Sequence, residues 1–409
     1  MRRASRGWPG IALLLLLLAV VALLRRPAPD PLAAAAVVDP PFTPLTYGIQ
    51  ASLWWEDGFT GHRLDLVRLM VFSHVKQGFA WADTEPLQGE YHFWRADELL
   101  AEIERRELQL VVRLGHAPAW VRAANSAPGA EAPVDVPPAA QHMDDWGAWC
   151  GAIATRYAGR IAAYQIWNEP NLAREWGGHP PSAAGYVALL RVCSEAIRAA
   201  DPQAILISAG LAPTGTCCDQ ARPDDHYLQE LYDAGFQQHI DVVGLHAPGY
   251  ASAPELDPDE AEAGGGQRFF TFRRVEDMRR IMVRNQDAAR QVAILETGWT
   301  RDLAGRNEAY SWFAVDEATQ ADYLVRAYRY AAEHWRPWVG LMTALSIADP
   351  GRDEQDEQYW WSIVQPDMQV MQAYIDLANM EKRCGARLIP ARADDSPEAL
   401  GLVPVAPCA

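Results

Sequence analysis

Short apolar runs alternate with longer stretches in which apolar residues return every three or four positions, and the alternation continues from Thr46 to about residue 377. The runs are continuously apolar, which predicts strands of a parallel sheet buried on both faces. They fall near Thr46–Ala51, His74–Phe79, Leu108–Leu114, Ile161–Trp167, Ala204–Ser208, Ile240–His246, Val292–Glu296 and Val339–Leu345. Helical periodicity fills the intervals, for example at Arg95–Arg106, Asp144–Tyr157, Ala183–Ala200, Asp225–Ala234, Phe272–Asn285 and Glu317–Glu333. Eight strands separated by helices predict an α/β protein with a (β/α)8 (TIM) barrel. An open doubly wound sheet shares much of this pattern. Against it, no Gly-rich phosphate turn follows the first strand, and Gly264-Gly265-Gly266 lacks the Lys and Ser/Thr of a phosphate loop.

The pattern divides the chain into an amino-terminal segment (1–26), a Pro/Ala-rich spacer (27–45), the barrel (46–384) and a tail without periodicity (385–409), expected to be poorly ordered. Gly7 to Leu24 is an almost unbroken apolar segment of eighteen residues flanked by arginines. It is near the lower limit for a membrane-spanning helix and longer than the usual core of a cleavable signal. Arg25-Arg26 stand where a peptidase wants small neutral residues, so the segment is expected to anchor the chain in the cell membrane. Cleavage near Ala33 to Ala36 is the alternative and would give a secreted protein. Either way the arginines at the amino end keep that end inside and place the body outside the cytoplasm.

The formal net charge is −17, although the first 26 residues carry five arginines and no acid. A body this acidic excludes nucleic acid and anionic polymers held by broad charge attraction, and leaves a neutral sugar polymer compatible. Six cysteines suit an oxidising compartment but have no zinc-ligand spacing. Cys150 and Cys193, on helical stretches, read as core residues. Cys217-Cys218, in a loop, are the expected bridge formers, with Cys384 or Cys408 as partners.

Chemistry enters at two strand ends. Asn168-Glu169-Pro170 closes the fourth apolar run and Glu296 the seventh. In a barrel all strand carboxyl ends open onto one face, so the two carboxylates can meet across one cleft. One protonated carboxylic acid opposite one ionised carboxylate is what cleavage of a glycosidic bond requires, and a nearby negative charge helps the acid keep its proton.

Ile166-Trp167-Asn168-Glu169-Pro170-Asn171 and Leu295-Glu296-Thr297-Gly298-Trp299 resemble the fourth- and seventh-strand motifs of clan A glycoside hydrolases, nearest the family 39 and family 5 groups. The resemblance spans roughly Thr46 to Leu377. It implies a retaining glycosidase with Glu169 as acid/base, Glu296 as nucleophile, Asn168 on the sugar 2-hydroxyl and His246 supporting the site from the sixth strand. Members commonly carry an arginine on the second strand, where this chain has Val75-Lys76-Gln77, so Lys76 is expected to orient the nucleophile. The eighth strand often presents a tryptophan under the sugar, whereas Thr343-Ala344-Leu345-Ser346 has none, leaving Trp360 or Trp361 as substitutes.

Indoles recur just after strands, at Trp54, Trp55, Trp81, Trp120, Trp176 and Trp299, where flat faces could stack on pyranose rings. His116, Asp83 and Glu85 are further candidate sugar ligands. No metal and no organic cofactor is expected. The expected partner is a β-linked oligo- or polysaccharide. A transglycosylase on the same residues and a carbohydrate-binding envelope protein that has lost turnover are the rival readings.

Overall fold

The computed structural model describes Leu32 and residues 37–54, 58–123 and 133–392. The apolar segment Gly7 to Leu24, most of the spacer, Trp55, part of the loop after the third strand and the tail from residue 393 lie outside the described residues. Among the described residues no helix is long and apolar enough to cross a membrane.

Eight parallel strands form a closed barrel in sequence order: β1 (Thr46–Ala51), β2 (His74–Ala80), β3 (Gln109–Gly115), β4 (Ala163–Ile166), β5 (Ile205–Ser208), β6 (Val242–Pro248), β7 (Gln291–Gly298) and β8 (Val339–Ile347). The first strand pairs with β2 through Gly48 and His74 and with β8 through Thr46 and Leu341, which rules out the open sheet. Eight helices follow the strands in turn: α1 (Thr60–Leu69), α2 (Trp94–Arg105), α3 (Met143–Arg156), α4 (Ala183–Ala200), α5 (Asp224–Asp233), α6 (Arg274–Arg284), α7 (Glu317–Tyr330) and α8 (Gln372–Asn379).

Alternation along each strand sends every second side chain to the barrel axis. Val111, Ala163, Ile207, Val242, Ala293, Leu295 and Leu341 meet there and form an interior cluster with Phe42. Phe42 caps this cluster at the amino ends of the strands. Its backbone N–H donates to Gln291 Oε1 and its carbonyl accepts from Gln291 Nε2, both at 3.0 Å, and its ring meets His74 edge-on. Outside the barrel the strands pack on the helices over a continuous apolar layer that includes Trp81, Trp146 and Trp149.

Two expectations need correction. Cys150 and Cys193 form a disulfide that ties α3 to α4, two helices packed side by side. Cys217 bridges its neighbour Cys218 rather than a distant cysteine, and Cys384 is also disulfide-bonded. Order also extends past residue 385: Lys382–Cys384 pairs antiparallel with Arg387–Ile389, and buried Lys382 Nζ donates to the carbonyls of Leu377, Ala378 and Met380 that end α8.

Candidate active site

The carboxyl ends of the strands open into a cleft of about 1000 Å³, lined by residues following all eight strands. Its floor holds Glu169, Glu296, His246 and Lys76, which the sequence reading places there, and Asn168 and His116 line it as well.

Local backbone geometry aims the two glutamates. At the end of β4 the chain leaves the ladder with positive φ at Trp167 (72°) and Glu169 (33°), a conformation that costs energy for a side-chain-bearing residue and is held by its surroundings. Tyr186 on α4 supplies part of that hold: its hydroxyl donates to Ile166 O and accepts from Ala209 N. Glu169 N donates to Gly210 O at 3.1 Å, and Asn171 exchanges two hydrogen bonds with Ala212, so the β4 and β5 loops are tied to each other. On β7 the device is a bulge. Leu245 pairs with Ile294 but His246 pairs with Glu296, so one extra β7 residue is accommodated. Ala293 and Leu295 already face the axis, and the bulge breaks that alternation so that Glu296 joins the cleft lining.

His246, two and four residues beyond the axial positions Gly244 and Val242, sits between the carboxylates. Its Nδ1 is 2.8 Å from Glu169 Oε1 and 3.7 Å from Glu296 Oε2. An ionised carboxylate cannot donate, so Nδ1 carries the proton of the shorter bond. His246 Nε2 is buried and has no hydrogen-bond partner. One oxygen of each glutamate and one nitrogen of His246 all lie within 4.8 Å of one another. These are donors a metal ion could use, but Lys76 already supplies positive charge there. Its buried Nζ is 2.9 Å from Glu296 Oε1 and 3.2 Å from Leu295 O.

Charge differentiates the two acids. Burial alone would raise the Glu296 pKa, but His246, Lys76 and Arg113 override it and bring the group down to about 2. Burial lowers the pKa of Lys76 and the Glu296 charge opposes that. For Glu169, burial and Glu296 push upward, yet the His246 bond and the Arg174 cation outweigh them and hold its pKa below the ordinary carboxylate value. Glu169 is therefore held in its ionised form. Two other cleft carboxyls are raised to about 7: Glu175, by burial and then by Glu169 and Asp135, and Glu357, by burial with Glu169 and Glu296 adding to it.

Several groups that sequence reasoning did not single out complete the site. Arg174 Nη2 lies 3.1 Å from Glu169 Oε2, and its Nη1 donates to Tyr310 Oη. Glu175 accepts from Asn168 Nδ2 at 3.3 Å, and Gln165 Nε2 donates to Asn168 Oδ1, which fixes the amide. Arg113 reaches His116 Nε2 at 3.3 Å, and that nitrogen is 3.2 Å from Asp135 Oδ1. A charge within the apolar run Leu110 to Leu114 was the available signal for Arg113.

The tryptophans mostly do not line the cleft. Trp81 is fully buried, donates to Glu85 Oε2 and packs on Trp146 and Trp149. Trp299 is also fully buried. It donates to Ser252 O and fits against Gly249, where a Cβ would come within 1.8 Å of the indole, so it props the loop after β6. Neither ring offers a face to a sugar. Trp120 and Trp176 also pack away from the cleft, whereas Trp54 lines it. Asp83 lines the cleft too, while Glu85 is buried beneath it. Of the two candidates after the eighth strand, Trp361 lines the cleft and Trp360 does not.

No protein-family model matches the sequence, and no curated protein matches it. The fold does have solved counterparts. A family 39 glycoside hydrolase from the gut symbiont Bacteroides cellulosilyticus WH2 superposes with a TM-score of 0.58 at 17% identity over 84% of this chain. This chain spans 64% of that protein's length. A GH39 β-xylosidase from Caulobacter crescentus gives 0.57 at 16% identity, covering 85% of this chain and 73% of the other. Xylanase 10B from Thermotoga maritima gives 0.52 at 15% identity, covering 81% and 93%. At these identities the likeness is one of barrel architecture.

Proposed function

We propose that this chain is an exported glycoside hydrolase that cleaves β-linked oligo- or polysaccharides with retention of configuration. The observation that carries the reading is the Glu169–Glu296 pair, with oxygens within 4.8 Å of one another across the floor of the cleft. Retaining glycosidases hold their carboxyls about 5 to 5.5 Å apart, whereas inverting ones leave about 6.5 Å or more for a water. Glu296, kept ionised by its cationic neighbours, attacks the anomeric carbon. Glu169 gives a proton to the leaving oxygen as the C–O bond breaks, then takes one from the water that attacks the glycosyl-enzyme. Because Glu169 is held ionised here, proton donation requires that bound substrate raise its proton affinity, as burial of the carboxyl against a sugar would do. Lys76 makes the contact to the nucleophile that the second strand was expected to supply, which favours turnover over a non-catalytic barrel.

The Cys150–Cys193 and Cys217–Cys218 disulfides suit an oxidising compartment and support export, with the apolar amino-terminal segment as anchor or signal. A panel of β-linked polysaccharides and aryl β-glycosides, with the first-formed anomer followed by NMR, tests the reading. Release of the β-anomer is expected. An α-anomer overturns retention, and no release from any substrate overturns the glycosidase.

A further inference from the structure

Trp312 is 60% exposed, yet its ring is not free to turn. Its Nε1 donates to Ala309 O at 3.1 Å, and it meets Phe270 and Phe313 edge-on at centroid distances of 5.0 and 4.8 Å. Tyr250 backs the same group, 4.4 Å from Phe270 and 4.9 Å from Phe313. Trp312, Phe270, Phe313 and Tyr250 all line the catalytic cleft. An indole with its polar edge satisfied, its orientation fixed and large area left open presents a flat apolar platform inside a polar cleft.

Its position relative to the bond being cleaved follows from Glu169. Oxygen Oε1 of that residue is held by the buried His246, whereas the partner of Oε2 is the exposed Arg174, so Oε2 is the oxygen that can be freed to carry the proton for the leaving group. Oε2 faces Arg174, Arg174 bonds Tyr310, and Tyr310 is two residues before Trp312 and packs on Phe313. The leaving group therefore departs toward this aromatic wall. The opposite side of the pair, where Lys76 reaches Glu296, is lined by Gln50, Gln77 and Trp54 instead.

Resting on the glycosidase reading, we propose that Trp312 is the platform of a leaving-group subsite, stacking on the apolar face of the first pyranose beyond the cleaved bond. Arg174 and Tyr310 rim this subsite at the polar edge of that sugar.

The experiment compares an oligosaccharide with the β-glycosyl fluoride of the same reacting sugar, whose leaving group is too small to touch Trp312. In Trp312→Ala the ratio of kcat/KM for the oligosaccharide to that for the fluoride is expected to fall about tenfold. Trp312→Phe, which keeps a flat ring, should restore most of the ratio. An unchanged ratio, whether both substrates suffer equally or neither does, overturns the subsite. A ratio that falls for aryl glycosides but not for the oligosaccharide assigns the platform to aromatic aglycones and overturns the pyranose. Absence of turnover by the unmodified enzyme on every substrate, fluoride included, overturns the glycosidase reading and this assignment with it.

Discussion

Arg174 contacts Glu169 on the carboxylate oxygen that His246 leaves open, at 3.1 Å. A cation on that atom stabilises the ionised form and so works against proton donation. Replacing Arg174 with Ala removes the charge, and the Glu169 pKa must rise. The basic limb of the kcat/KM profile, which reports loss of the proton from the free enzyme's acid, is expected to move to higher pH. Profiles on a substrate with a poor leaving group decide this, and a limb displaced to lower pH would contradict it.

The two glutamates should respond differently to removal. Glu296→Gln is expected to abolish turnover of every substrate, because nothing replaces the nucleophile. Glu169→Gln should spare the first step for substrates whose leaving groups need no proton. Azide added to Glu169→Ala should yield a glycosyl azide of retained configuration; the inverted azide would exchange the two roles.

Gly210 serves the carboxylate pair in two ways, one of which requires that it lack a Cβ. Its carbonyl accepts the Glu169 amide, and a Cβ there would come within 2.2 Å of the His246 ring. Gly210→Ala must displace the imidazole from between the carboxylates. Misplacement of about 1 Å in a catalytic array costs on the order of 100-fold, so kcat should drop by roughly that factor. Far-ultraviolet circular dichroism should be unchanged, and unaltered kcat would mean that His246 does not position the pair.

The Cys150–Cys193 disulfide closes a loop across a sequence separation of 43. Chain entropy alone assigns such a bridge about 4 kcal/mol. A Cys150→Ala/Cys193→Ala variant should lose a substantial part of that in denaturant unfolding, with little change in kcat for the folded enzyme. Equal stability with and without the bridge would show that helix packing suffices.

His74, partly buried beside Phe42, has its pKa lowered to about 4 by desolvation. The group is neutral in the folded state, while the unfolded chain takes up a proton below the ordinary histidine value of about 6.5. Its contribution is therefore complete above pH ~6.5 and is lost as pH falls from there toward ~4, by up to about 3 kcal/mol. His74→Gln should flatten stability against pH in that window, measured by denaturant unfolding at a series of pH values.

The barrel was legible because its strands are apolar on both faces, and the glutamates because each follows closely on an apolar run of the sequence. What escaped the sequence depends on direction rather than position. Trp81 and Trp299 follow strands as expected, yet each indole turns outward into packing, a choice made by the Trp146–Trp149 cluster and by the space above Gly249. Trp312 stands fourteen residues beyond the end of β7, in a loop with no periodicity to mark it. Cys150 and Cys193 looked like isolated core residues because only the side-by-side packing of α3 and α4 brings their sulfurs together.

Phe42 gives the barrel a polarity with respect to its own chain. The polypeptide arrives at the end sealed by this ring and Gln291, on the face opposite the catalytic mouth. Any attachment made through the preceding residues holds the enzyme from behind.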